Sequence, residues 1–116
     1  MSKRDVRLFL YDILECIEKI EKYTKDMDFD DFVKNDLVVD AVIRNLEIIG
    51  EAVKNIPEDI RSKYPDIPWK KIVGFRNIVI HGYFGVDLKI VWTVVRKHLK
   101  DLKPKIENIL KDIEHS

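Results

Sequence analysis

A chain of 116 residues, 46% of them hydrophobic, is long enough for one core and too short for a second, so a single domain over 1–116 is expected and disorder is argued against. Basic and acidic residues balance at 21 each, and no apolar run approaches the roughly 20 residues of a membrane span. Met1-Ser2-Lys3-Arg4-Asp5 leads into a charged amphipathic pattern rather than a signal-peptide core, which points to the cytoplasm.

Helical spacing of Val6, Phe9, Leu10, Ile13, Ile17, Ile20 and Tyr23 predicts a first amphipathic helix from Asp5 to about Lys25. Cys16, the single cysteine, cannot form an intrachain disulfide and sits in this stripe as a small core residue. Asp26 to Phe32 mixes turn-forming acids with two aromatics and reads as a connection holding one helical turn, its acids serving as caps and solvated surface. Val38, Ala41, Val42, Asn45, Ile49, Ala52, Val53 and Ile56 give a second long helix over about 35–55, stopped by Pro57. Gly50 inside it costs about 1 kcal/mol relative to alanine, which suggests close packing against another helix.

A short helix is expected between Pro57 and Tyr64, then a helix from Pro68 to His81, where Pro68 needs no N–H and Gly82 or Gly85 can end the run. Asp87 caps a further helix to about Lys100 with Ile90, Val91, Val94, Val95, Leu99 and Leu102 as its stripe, and Pro104 kinks or restarts it before a last helix. The fold class is therefore all-α, an up-and-down bundle of four to five helices.

Charge divides along the chain. Residues 1–60 hold 9 basic and 15 acidic residues, a net of −6, and residues 61–116 hold 12 and 6, a net of +6. Either the basic half attracts a polyanion in a directional, salt-sensitive way, or the halves pair inside the bundle. His81, His98 and His115 are 17 apart each time, which fits no ligand spacing, so neither a metal nor a cofactor is expected.

The helix from Pro68 to His81 carries the polar groups suited to chemistry. Asn77 and His81, four apart, share a face, whereas Arg76 and His81, five apart, lie roughly 140° around the axis from one another. One straight helix does not converge them, so either its end unwinds at Gly82 or a second copy completes the site. Arg76-Asn77, His81-Gly82-Tyr83, the Ile67-Pro68-Trp69 lead and the block Asp40 to Ala52 together resemble the HepT family of toxins in the HEPN ribonuclease superfamily, with its Arg-x4-His-x-Tyr signature.

The resemblance implies a HEPN-like fold and a homodimeric, metal-independent endoribonuclease toxin of a type VII-like toxin–antitoxin pair, acting on an RNA substrate and leaving 2′,3′-cyclic phosphate ends. On that reading His81 is general acid or base, Arg76 stabilises the pentavalent phosphate and Asn77 orients His81 or the phosphate by hydrogen bonding. One histidine leaves the second proton transfer vacant, which a partner copy would fill. The resemblance also makes Tyr83 the target of adenylylation by a cognate minimal nucleotidyltransferase antitoxin, which would block RNA by bulk and charge.

Plainer readings stand beside each of these. His81 can simply cap a helix end, Arg76 can pair inside the bundle with Glu47 or Glu51, Asn77 can be a satisfied core amide, and Tyr83 can pack with Phe84 and Trp92. Glu51 is the candidate partner behind Arg76, with Arg44 and Asn45 as further candidates to line the cleft. Trp69 and Trp92 are assigned to the core rather than to base stacking, and Lys70 and Lys71 to solvated surface. The alternative function is a non-catalytic HEPN module that binds a nucleotide or a partner protein.

Overall fold

The structure, a computed structural model, describes residues 5–81 and 87–115, and for residues 78–81 the backbone alone. In chain order the helices are α1 (Val6–Tyr23), α2 (Phe29–Lys34), α3 (Asp36–Lys54), α4 (Glu58–Arg61), α5 (Trp69–His81), α6 (Leu88–Thr93) and α7 (Leu99–Glu114), and a π-helical turn over Val94–His98 joins the last two. The all-α class predicted from periodicity is the one observed.

Short polar side chains start most of these helices where the first N–H groups lack partners. Asp5 accepts from the Arg7 N–H, Asn35 from that of Val38, and Asp87 from that of Lys89. At α2, Asp28 and Asp31 form a reciprocal capping box, each side chain accepting from the other's backbone N–H. Pro57 stands at the N-cap of α4.

Apolar stripes then set the packing. Leu10, Ile13, Ile17 and Ile20 of α1 are fully buried, as are Val42 and Val53 of α3 and Ile106 and Ile109 of α7. Each contributes about 1.5–3 kcal/mol, far more than helix propensity supplies. α3 packs between α1 and α5, and α7 lies on α1. The six residues of α2 are held by Phe32, which is fully buried with its ring 4.9 Å from that of Trp92. Cys16 is buried as expected, and burial pushes its thiol pKa up to about 11. No helix among the described residues is long and apolar enough to cross a membrane.

Three details differ from the periodicity reading. Ile90, placed in the buried stripe, is 54% exposed, because α5 leaves an open apolar groove of about 520 Å³ between itself and α6–α7. Pro104 does not restart a helix, since α7 runs through it. Lys100, whose carbonyl Pro104 cannot serve, is exposed, so solvent can take the place of the missing donor. The irregularity falls instead at the π turn, ten residues to six residues upstream of Pro104.

Candidate active site

The site is built from the start of α5. Trp69 is 7% exposed, and its indole N–H donates to the carbonyls of Arg61 at 3.1 Å and Tyr64 at 3.0 Å, pinning the helix start to the segment after α4. Both tryptophans therefore do structural work, Trp69 in the core and Trp92 partly buried against Phe32. Lys70 and Lys71 are exposed, as expected.

Two turns further on, Arg76 crosses the face of α3 at Gly50. A Cβ built on Gly50 would lie 2.8 Å from Arg76 Cγ and 3.0 Å from Cδ, and closer still to Cβ. The glycine thus gives the Arg76 stem its path, which is the close approach its mid-helix position suggested. The guanidinium ends at Glu51, with Nη2 to Oε2 at 2.9 Å, and Nη1 donates to Asn77 Oδ1 at 3.3 Å. Nε is buried and has no hydrogen-bond partner among the described residues. Of the two carboxylates considered for Arg76, Glu51 is the one that meets it. Asn77 is exposed and serves Arg76 rather than the core.

Arg76 forms part of an open cleft of about 320 Å³ whose polar walls are Asp12 from α1 and Arg44, Glu47, Glu51 and Asn55 from α3 and its end. Arg44 lines this cleft but pairs with Glu47 at 3.5 Å, not with Arg76 or Glu51. Asn45 is buried, its side-chain N–H donating to the Ala41 carbonyl at 2.8 Å, and is no part of the cleft wall. Asp12 and Asn55 were not singled out from sequence. The available signal is that both border the buried stripes of their helices.

His81 ends α5, and because the helix continues to it, Arg76 and His81 remain roughly 140° apart around the axis. The His81 side chain lies outside the described residues, as does Tyr83 altogether. Arg76, Asn77 and Glu51 are thus brought together, Arg44 shares their cleft, and His81 is joined to them through the α5 backbone. A guanidinium held in this way can meet a phosphate, and a histidine five residues along the same helix can transfer a proton.

A helical bundle that carries arginine, asparagine and histidine on one helix end has the make-up of the HEPN class of ribonuclease domains. The chain belongs to the HepT-like ribonuclease family, whose model, described as "Ribonuclease HepT-like", matches residues 13–109. A Methanocaldococcus jannaschii protein named "Putative RNase MJ0125" is 51% identical over 98% of this chain and 98% of its own length. One from Thermococcus cleftensis, "Probable ribonuclease HepT", is 45% identical over 94% and 99%. The "mRNA nuclease HepT" of Shewanella oneidensis is 31% identical over 84% of this chain and 90% of its own. No solved structure matches the chain significantly.

Proposed function

We propose that this protein is an endoribonuclease toxin that cuts RNA without a metal ion, works as a homodimer, and is silenced by adenylylation of Tyr83 by a nucleotidyltransferase antitoxin. The observation that carries the chemistry is the Arg76 guanidinium, held by Glu51 at 2.9 Å and Asn77 at 3.3 Å on the helix that ends at His81. The ribose 2′-hydroxyl is an internal nucleophile for the adjacent phosphorus, so the protein need only remove its proton, stabilise charge on the pentavalent phosphate and protonate the leaving 5′-oxygen. His81 takes one proton transfer and Arg76 the charge. The other proton transfer falls to His81 of a second copy, which also answers the divergence of Arg76 and His81 around α5.

Adenylate on Tyr83, two residues beyond His81, would place a further phosphate and an adenine beside the reacting groups. It would exclude RNA by charge and by bulk. The names of the relatives support RNA as the substrate class and, for the Shewanella protein, mRNA.

The test is incubation of purified, unmodified protein with total RNA in excess chelator, beside His81→Ala and Arg76→Ala, with analysis of fragment ends and intact mass. Cyclic 2′,3′-phosphate ends that disappear in both variants are expected. A dimer whose mass shows no adenylate and which still leaves RNA intact would overturn the enzyme and favour a module that binds a nucleotide or partner.

A further inference from the structure

The guanidinium of Arg76 has five N–H donors, and their use decides how it can meet a phosphate. Nε–H is buried without a partner among the described residues, so the edge formed by Nε and Nη2 is closed to a ligand. Nη2 stands 2.9 Å from Glu51 Oε2 in an ion pair, and Nη1 donates to Asn77 Oδ1. The stem cannot swing freely to offer another edge, because it lies across the α3 backbone at Gly50, where even a methyl group would collide with it.

From this geometry we infer that Glu51 is a positioning residue: with Asn77 it fixes the direction in which the Arg76 guanidinium is presented to a phosphate. The inference rests on the ribonuclease reading and deepens it. Two effects of Glu51 oppose one another. Its carboxylate repels a phosphate brought to the same guanidinium, and it spares the long arginine side chain the entropy of being ordered at each turnover. Glu51 is 52% exposed, so solvent screens the longer-range repulsion, whereas the 2.9 Å contact acts directly on the group that must be aimed. Positioning wins. Glutamine keeps an oxygen within the same reach of Nη2 and removes the repulsion, so it should replace glutamate better than alanine does.

The experiment measures kcat and KM on an RNA oligonucleotide that the wild-type protein cuts, for Glu51→Ala, Glu51→Gln, Arg76→Ala and the Glu51→Ala/Arg76→Ala pair. Thermal unfolding confirms that each is folded at the assay temperature. Glu51→Ala should lower kcat about tenfold or more with KM little changed, as misaiming of a charge-stabilising group does. Glu51→Gln should recover kcat to within about threefold of wild type, and the double variant should be no slower than Arg76→Ala alone. Glu51→Ala at or above the wild-type rate, or Glu51→Gln as slow as Glu51→Ala, overturns the positioning role. So does a further loss in the double variant, which would mean that Glu51 acts apart from Arg76. Arg76→Ala at the wild-type rate sinks the ribonuclease site itself. A dead Arg76→Ala beside an unaffected Glu51→Ala sinks the positioning role alone.

Discussion

Gly50→Ala perturbs the contact between α3 and α5 with one methyl group and no change of charge. The added carbon would sit 2.8 Å from Arg76 Cγ and 3.0 Å from Cδ, where carbon atoms pack at about 3.5–4.0 Å. Since the nearest neighbour is Arg76 Cβ, fixed to the α5 backbone, a new rotamer of the arginine cannot clear the space. α5 must instead draw back from α3 by about 0.5–1 Å. Overpacking of this kind costs about 1–3 kcal/mol, and alanine returns about 1 kcal/mol of helix propensity, so the net destabilisation is about 0–2 kcal/mol. In a domain of this size that lowers the melting temperature by at most about 10 °C. Activity should fall further than stability, by about 10- to 100-fold, because the displacement moves the base of Arg76. The control is Gly74→Ala, on α5 itself, where an added Cβ meets no described atom within 4 Å and only the propensity gain should appear. Thermal unfolding and RNA cleavage well below the transition measure the two effects separately. If Gly50→Ala matches Gly74→Ala, both gaining about 1 kcal/mol with cleavage intact, the close passage of Arg76 over Gly50 does not exist.

Trp69→Phe removes an indole N–H that serves two carbonyls and leaves a gap in a site only 7% exposed, so it should cost about 2–3 kcal/mol in urea unfolding; a loss below about 0.5 kcal/mol would refute the pinning of α5. Stability should also decline above about pH 9. Burial raises Cys16 from 9.0 to about 11, while hydrogen bonds to Asp112 and Glu114, with some burial, raise Tyr64 and Tyr11 above the usual 10.0. In each case the fold favours the neutral form, so the contribution is complete below the unfolded pKa and is lost as pH rises through the folded one. Cys16→Ala should therefore flatten the part of the decline between 9.0 and about 11, and an unchanged slope in that interval would exclude the thiol as its source.

The long helices were legible because their cores are built from residues whose burial dominates the energetics, as at Leu10, Ile13, Ile17 and Ile20. Helix starts at Asp28 and Asp87 were legible because short acidic side chains there are local caps, and the pairing of Arg76 was partly so, since Gly50 marked where α3 had to admit a neighbour. Ile90 misled because periodicity gives the face of a helix and not what covers it. Arg96 carried no signal either. It joins the carbonyls of Thr24 and Met27, 72 and 69 residues away, and lies 4.2 Å from the ring centre of Trp92. That clamp brackets Asp26, held in the left-handed region at φ 63°. Backbone acceptors have no residue type, so a side chain that binds them from afar looks in the sequence like ordinary basic surface.

The charge division resolves in the same way, by contact rather than by composition. The halves do pair across the bundle, through Arg76 with Glu51 and Lys103 with Glu21, so the plainer reading of the two charge blocks is partly realised. Yet Lys70, Lys71, Lys89, Lys97 and Lys100 are exposed and make no ion pair among the described residues, while Asp12, Glu47 and Glu51 stand on the cleft wall beside Arg76. Arg76 therefore lies between a carboxylate-bearing wall and the helix that carries Lys70 and Lys71 in its first turn. On the proposed reading a polyanion gains charge attraction on the α5 side and meets like charge on the α3 side, which gives its approach a direction. A strand entering that way meets Arg76 at one angle around α5 and His81 of the same helix roughly 140° away. That divergence is the reason, apart from the count of histidines, why the proposed reading brings in a second copy.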